Sequence, residues 1–154
     1  MGALSAWMPV SFQGDSMRPT LIPGDRLLVK RSQSDTKYQR GDIIVFRDPR
    51  DSSGPLIIKR IVGLPKESIR ASRLVYVNGQ LLTEPYLEGL VDQFDGSARG
   101  VNRIGNTSYF VMGDNRSAST DSRDFGVIDE SKIFGRAVLR YLPIARARKL
   151  KRYH

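Results

Sequence analysis

The chain alternates short runs of β-branched and apolar residues with clusters of glycine, proline, aspartate and asparagine. No long stretch keeps the period of an amphipathic helix. The pattern therefore predicts a mostly β protein, a folded antiparallel sheet or barrel, with at most a short helix near residues 143–152. The predicted strands are 26–31, 42–47, 56–64, 74–82, 108–114 and 132–142.

Two features refine this pattern. Asn78-Gly79 separates two apolar runs and predicts a two-residue hairpin, because a type I′ turn needs positive φ at both central positions. Residues 83–107 contain five glycines or prolines and predict a long excursion from the barrel. No repeat, heptad or low-complexity tract is present.

The N-terminal segment is largely apolar but contains Pro9. As a helix, residues 1–12 would reach roughly 18 Å, whereas the hydrocarbon core of a bilayer is about 30 Å thick. The segment is therefore too short to span a membrane. Three interpretations stay open: an ordinary first strand, the remnant of a membrane anchor, or an apolar edge that touches lipid.

The composition of the 154 residues, 40% hydrophobic and 27% charged, is that of one globular domain. There is no cysteine, and the only histidine is His154. These counts exclude a disulfide framework, a Ser-His-Asp triad, a Cys-His pair and an HExxH zinc site. We expect no metal and no cofactor, so any catalysis must use Ser, Lys, Asp, Glu or Tyr.

The net charge of +9 is unevenly distributed. Seven basic residues and no acidic one lie between Arg136 and the end, whereas the rest carries 18 basic and 16 acidic residues. A basic tail suits an anionic membrane surface or another polyanion, and it is equally typical of a solvated end.

One serine lies in a stretch rich in turn residues, FQGDSMRPTLIPGD (12–25). Pro19 disfavours helical backbone at the residue before it, and Pro23-Gly24 predicts a turn. Gly14 permits close approach of another backbone. The segment therefore suits a Ser16 hydroxyl held where an extended peptide can approach, although a simple loop would have the same composition.

Lys59 interrupts the apolar run of the strand predicted at 56–64. By strand alternation it shares a face with Ile57 and Ile61, while Arg60 points the other way. Burial of an ammonium group lowers its pKa by up to roughly 3 units, which would make Lys59 a usable general base. The alternative is a lysine that extends to solvent from a strand edge.

A third segment, GDNRSASTDSRDFG (113–126), contains many hydrogen-bonding side chains. It is either a solvated surface turn or the support that a Ser/Lys pair needs to fix its geometry.

Four motifs occur in one order along the chain. They are SMRPTL (16–21), GDIIVF (41–46), KRIVGLP (59–65) and GDNR (113–116), the last followed by Ser119, Asp121-Ser122-Arg123 and Gly126. In this order the chain resembles the type I signal peptidases, the bacterial and organellar family that uses a Ser/Lys dyad. The resemblance runs from about residue 12 to residue 143.

The resemblance implies a serine endopeptidase that removes signal peptides from exported preproteins and cuts after an Ala-x-Ala pattern. Ser16 matches the nucleophile, with its backbone N–H as oxyanion donor, and Lys59 matches the general base. Ser119 matches the serine whose hydroxyl orients that lysine. Gly14 stands where some family members have a second hydroxyl.

The remaining matches concern support and substrate binding. Asp121 and Arg123 match a supporting ion pair, and Asp114 is expected to pair with Arg60. A substrate would bind as an added strand between residues 10–14 and 56–58. The expected contact residues are Phe12, Gln13, Gly14, Ile57 and Ile58, with Phe12 and Ile58 as pocket walls.

On this interpretation the chain divides into an apolar segment (1–11), a catalytic domain (12–143) and a basic tail (144–154). Its expected partners are preprotein signal peptides and a lipid surface, with no nucleic acid. The expected location is the plasma membrane or its organellar equivalent, with the catalytic domain on the extracytoplasmic side. The family normally has a transmembrane helix before the serine, but only fifteen residues precede Ser16.

Two alternatives remain. A self-cleaving repressor-type peptidase shares the Ser/Lys catalytic domain but normally has a DNA-binding domain before the serine. A non-enzymatic basic β-barrel that binds nucleic acid would need aromatic residues interleaved with basic ones on one face.

Overall fold

The computed structural model describes residues 5–87 and 98–153 and has two antiparallel sheets. The larger sheet has the strand order β1-β2-β11-β3-β4-β9-β10, with β12 paired to β11, and the smaller has the order β7-β6-β5-β8. The strands are β1 (Trp7–Ser11), β2 (Arg26–Arg31), β3 (Ile43–Arg47), β4 (Leu56–Gly63), β5 (Ile69–Ala71), β6 (Val75–Val77), β7 (Gln80–Leu81), β8 (Arg99–Val101), β9 (Ser108–Met112), β10 (Ile128–Asp129), β11 (Ile133–Leu142) and β12 (Arg148–Lys149).

Helical structure in the described part of the chain is limited to short pieces. They are the one-turn helix α1 (Ser122–Phe125) and the 3₁₀ turns η1 (Glu130–Lys132) and η2 (Ile144–Arg146). None of these helices is long and apolar enough to cross a bilayer. The mostly β fold predicted from the sequence is confirmed.

The long strand β11 bends the larger sheet. It pairs with β2 and with β3, and its register with these strands shifts at Ile133/Gly135, Ala137/Leu139 and Arg140/Leu142. Such irregularities kink a strand and increase its twist. The sheet is therefore curved around its apolar side chains.

The core consists of three clusters of buried apolar side chains. One contains residues from the 12–25 segment, including Phe12, Met17 and Leu21, together with side chains of β2, β3 and β4. Another joins the smaller sheet to the larger, because Ile69 and Val75 pack with residues of β4 and β9. The two sheets therefore share one apolar interior.

Most strands lie where the pattern predicts them. β2 covers 26–31, and β3 and β4 agree with the predicted runs to within a residue at each end. Asn78 and Gly79 have φ values of 50° and 82°, as the predicted two-residue turn requires. Of the apolar N-terminal segment, residues 7–11 form the edge strand β1, and residues 1–4 lie outside the described chain.

One prediction of secondary structure needs correction, and one short helix was missed. The departure from the larger sheet begins before residue 83, because the smaller sheet runs from Ile69 to Val101. Residues 88–97 of the predicted excursion lie outside the described chain. The helix α1 was not predicted; Asp121 caps its N-terminus, where a capping box satisfies the free backbone N–H groups.

The C-terminal segment, 144–153, is packed against the domain and is mostly extended. After the 3₁₀ turn η2, Leu150 N–H donates to Val138 O at 2.8 Å. Arg146 and Arg152 form ion pairs of 2.6 Å with Asp25 and Asp42. These long-range contacts hold the residues along β11, and helix in this segment is limited to η2, in agreement with the prediction of at most a short helix near 143–152.

Candidate active site

The segment that carries Ser16 is anchored on both sides of the serine. Phe12, Met17 and Leu21 are buried in one apolar cluster. The chain closes on itself where Phe12 N–H donates to Asp25 O at 2.8 Å and Gly24 N–H donates to Phe12 O at 2.9 Å. Turn residues and apolar anchors therefore fix the position of the Ser16 backbone.

Lys59 reaches this serine from strand β4. Its Nζ is 2.7 Å from Ser16 Oγ, although 43 positions of chain separate the two residues. The lysine is only 5% exposed. Burial lowers its pKa from 10.5 to about 8; Asp121 and Asp114 oppose this change, and Arg123 adds to it. A pKa close to the working pH and a hydrogen bond to the hydroxyl are what a general base requires.

A loop from Gly113 to Arg123 packs against the serine. Asn115 donates from its backbone N–H to Ser16 O at 3.0 Å and from Nδ2 to Asp15 O at 3.1 Å. A Cβ at Gly113 would lie 2.4 Å from Ser16 O and 2.2 Å from Ser119 Oγ. Only glycine allows these backbones to approach so closely.

The carboxylate of Asp121 organises the loop. It accepts hydrogen bonds from Gly113 N–H at 3.0 Å and Ser119 Oγ at 2.8 Å, and it forms an ion pair of 2.9 Å with Arg123. Burial raises the pKa of Asp121, but the Arg123 guanidinium and the other donors outweigh burial and hold that pKa below its ordinary value. A stable negative charge is thus maintained close to the lysine.

The resemblance assigned Ser119 to orienting the lysine, and the structure places its hydroxyl differently. Ser119 Oγ donates to Asp121, and within the described chain it forms no hydrogen bond with Lys59. The Ser119 hydroxyl is therefore bonded to the carboxylate near the lysine, and its role in orienting Lys59 stays a prediction.

Arg60 points away from Ser16 and forms the expected pair with Asp114. Two hydrogen bonds, of 2.9 and 2.7 Å, join the guanidinium to the carboxylate, and both side chains are buried. Thr20 Oγ1 also donates to Asp114, at 2.6 Å. This pair therefore links β4, the serine segment and the 113–123 loop.

The sequence analysis missed two supporting groups. Glu84 forms a buried ion pair with Arg116, and the ring of Tyr86 lies 3.9 Å beneath the Arg60 guanidinium. Glu84 and Tyr86 lie between β7 and β8 of the smaller sheet, about thirty residues before the 113–123 loop. The sequence around Glu84 and Tyr86 contains no local pattern that would predict a pairing with Arg116 or a ring beneath Arg60.

A cleft of about 600 Å³ lies between β1 and the start of β4, with both Ser16 and Lys59 in its wall. Phe12, Gln13, Ile57 and Ile58 line it, as expected, whereas Gly14 is exposed and does not. β1 is an edge strand, and β4 pairs with β9 only from Arg60 onward. Two unpaired strand edges therefore border the cleft.

The backbone N–H of Ser16 is available as a donor. It bonds to no acceptor in the described part of the chain, whereas the carbonyl of the same residue is engaged by Asn115. A free N–H beside a serine hydroxyl is the arrangement required of an oxyanion donor.

A serine bonded to a buried lysine of lowered pKa, beside open strand edges, is the arrangement of a Ser/Lys peptidase. The family model described as "Signal peptidase, peptidase S26" matches residues 2–142. The chain therefore belongs to the signal peptidase family, peptidase S26.

Individual relatives agree with this assignment. Signal peptidase I U of Bacillus subtilis is 37% identical, over 94% of this chain and 81% of that protein. Signal peptidase I of Leptolyngbya laminosa is also 37% identical, over 88% of this chain and 69% of that protein. The crystal structure of a signal peptidase I from Enterococcus faecalis superposes with a TM-score of 0.55 at 33% identity, over 67% of this chain and 98% of that chain.

Proposed function

We propose that this protein is a serine endopeptidase that removes N-terminal signal peptides from exported preproteins, with Ser16 as nucleophile and Lys59 as general base. The observation that carries the proposal is the 2.7 Å contact between Lys59 Nζ and Ser16 Oγ. The family membership of the chain supplies the substrate class.

The first step is acylation. Neutral Lys59 accepts the Ser16 hydroxyl proton as Oγ attacks the scissile carbonyl carbon, and the Ser16 backbone N–H stabilises the oxyanion. The resulting ammonium group then donates its proton to the leaving amine as the C–N bond breaks. The products of this step are the amine of the mature protein and an acyl ester on Ser16.

Deacylation uses the same lysine. Neutral Lys59 accepts a proton from a water molecule that attacks the ester, and the proton then passes to the departing Ser16 oxygen. At pH 7 a pKa of about 8 leaves about one lysine in ten neutral, against about one in 3,000 at the ordinary pKa of 10.5. Burial of the amine therefore increases the active fraction more than a hundredfold.

The cleft supports binding of the substrate as an added strand. An extended signal peptide would hydrogen-bond to the free edge of β1 on one side and to Leu56–Lys59 on the other. Alternate side chains of a strand point to the same face, so a wall such as Phe12 and Ile58 would select small residues at every second position. This periodicity agrees with cleavage after Ala-x-Ala.

We further propose that the site works at the extracytoplasmic face of the plasma membrane or an organellar membrane, in contact with lipid. Trp7 in the edge strand β1, which borders the cleft, is 41% exposed. Tryptophan is enriched at membrane–water interfaces because its ring is apolar and its N–H is polar.

The test is direct. The protein is incubated in detergent with a preprotein that carries an Ala-x-Ala site, and the products are mapped by mass. We expect one cut after the second alanine by the wild type, and none by Ser16→Ala or Lys59→Ala. Lys132→Ala, which removes an exposed lysine outside the cleft, is the matched control and should cleave normally. Normal turnover by Lys59→Ala would refute the dyad.

A further inference from the structure

A second cavity, of about 300 Å³, lies apart from the cleft that holds Ser16 and Lys59. The end of β2, the connection at 33–38, Arg136 of β11 and Arg152 of the C-terminal segment line it. The two cavities have no lining residue in common. Its chemistry is therefore separate from the proposed peptidase reaction.

The lining of this cavity is strongly basic. One acidic residue, Asp35, lines it, and the basic residues are Lys30, Arg31, Lys37, Arg136 and Arg152.

Two of these cations have an acidic partner among the described residues. Arg152 pairs with Asp42 at 2.6 Å and Lys37 with Glu130 at 3.3 Å. Within the described chain, Lys30, Arg31 and Arg136 have no carboxylate at ion-pair distance. Burial lowers the pKa of Arg136, and the neighbouring Arg152 lowers it further, against the opposing effect of Asp42. The cavity therefore holds positive charge that the described residues leave uncompensated.

Two residues of the lining, Arg31 and Tyr38, also have buried polar atoms whose hydrogen bonding within the described chain is incomplete. Tyr38 is only 6% exposed, and neither its Oη nor Arg31 Nε forms a well-aligned hydrogen bond within the described residues. Burial raises the pKa of Tyr38, and hydrogen bonding with the Ser32 side chain, at a geometry that is not well aligned, opposes this change. Buried polar groups are nearly always hydrogen-bonded, so Arg31 and Tyr38 both have donor capacity that an anionic ligand in this cavity could use.

We propose that this cavity binds a phosphate group. Lysine, arginine and tyrosine side chains all donate hydrogen bonds, and three of the cations are unpaired, which favours a ligand with several anionic oxygens. Arginine forks match phosphate oxygens in pairs. The group would belong either to an anionic phospholipid or to a soluble phosphate compound.

The position of the cavity relates it to the edge strand. Lys30 lies opposite Trp7 in the β1–β2 register, and Arg31 N–H donates to Ala6 O at 2.8 Å. An exposed tryptophan beside the cavity is the side chain expected where a protein meets lipid head groups. The experiment therefore tests both an anionic phospholipid and a soluble phosphate compound as the origin of the phosphate group.

The soluble arm measures thermal unfolding in inorganic phosphate and in sodium chloride of equal ionic strength. We expect phosphate to raise the melting temperature of the wild type in a saturable way. Arg136→Gln should bind phosphate about tenfold or more weakly, because it removes a charged donor. Phosphate also stabilises proteins non-specifically, but that effect is common to all variants and cancels in the comparison.

Tyr38→Phe removes only the hydroxyl and separates binding from folding. Because that hydroxyl forms no well-aligned hydrogen bond within the described residues and has only the Ser32 side chain beside it, the variant should lose little stability without phosphate, yet should gain less from phosphate. Lys132→Gln, an exposed lysine outside the cavity, should behave as wild type. An equal phosphate response in all four proteins would overturn the proposal.

The lipid arm measures co-sedimentation with vesicles of phosphatidylglycerol and phosphatidylcholine, with pure phosphatidylcholine as reference. Lys30→Gln and Lys132→Gln each remove one exposed positive charge. A greater loss of binding for Lys30→Gln identifies a lipid phosphate as the ligand. Equal losses, together with weakened phosphate binding in the soluble arm, identify a soluble phosphate compound. If neither arm separates the cavity variants from Lys132→Gln, the proposal is wrong.

Discussion

Replacing Lys59 by methionine isolates the free-energy cost of burying this amine. Methionine keeps an unbranched side chain of similar length and removes the charge. The change in the pKa of Lys59 from 10.5 to about 8 corresponds to about 3 kcal/mol, because each pKa unit is about 1.4 kcal/mol. The side chain is only 5% exposed, so solvent screening reduces this value little.

The sign of the pH dependence follows from proton binding. Between about pH 8 and pH 10.5 the unfolded chain holds the Lys59 proton and the folded chain does not. Wild-type stability therefore gains about 3 kcal/mol from Lys59 as the pH rises through this window, and the full cost of burial applies below pH 8. Lys59→Met lacks this dependence.

The assay is urea unfolding of both proteins at pH 7 and pH 10.5. We take the free energy of unfolding of Lys59→Met minus that of the wild type. This difference should be about 3 kcal/mol larger at pH 7 than at pH 10.5, because the variant avoids the cost of burying a charged amine. Packing differences do not depend on pH and cancel. Lys132→Met, at an exposed site, should show no such change. A difference that is constant with pH, or of opposite sign, would refute the argument that burial lowers the pKa of the lysine.

Three further predictions concern groups around the dyad. Arg123 lowers the pKa of Lys59 and Asp121 raises it. Arg123→Gln should therefore move the midpoint of the pH–rate profile above 8, and Asp121→Asn should move it below 8. A shift of both midpoints in the same direction would contradict this. Asp114→Asn leaves a buried guanidinium without its counter-charge and should cost roughly 3–5 kcal/mol in urea unfolding, whereas a loss below 1 kcal/mol would count against the pair. Gly113→Ala should reduce kcat/KM about a hundredfold by displacing the nucleophile, while Gly105→Ala, whose added Cβ meets nothing closer than 3.7 Å, should not; equal rates would disprove the close approach.

The strands and the hairpin could be predicted because their signals are local. Alternation of apolar and polar residues gives the faces of β2, β3 and β4, and Asn78-Gly79 specifies its own turn. The same local reasoning missed α1, because a single capped turn has no helical period to detect. After residue 143 the structure has the short turn η2, within the predicted limit of at most a short helix, and long-range ion pairs hold the extended residues around it.

The sequence indicated which residues belong to the candidate site, but not which atoms they contact there. The order of the motifs singles out Ser16, Lys59, Asp121 and Arg123, since each stands in a stretch of unusual composition. The partner of Ser119 could not be inferred, because a serine two residues from an aspartate has several acceptors within reach. Only the packing of the loop on Gly113 selects the aspartate.

By itself, then, the sequence determined that the chain is a β protein without histidine chemistry and with one serine and one lysine in exceptional positions. The tertiary structure decided that these two side chains meet at 2.7 Å and that three basic residues near the C-terminus, Arg140, Arg146 and Arg152, pair with buried aspartates. It also decided that Arg136 and Arg152 line a cavity with Tyr38. The physical reason is the separation along the chain over which each effect acts, because backbone preference and strand alternation depend only on residues that are near in sequence. Distances across many residues, and the burial that lowers a pKa, depend on how the bent strand β11 folds the sheet.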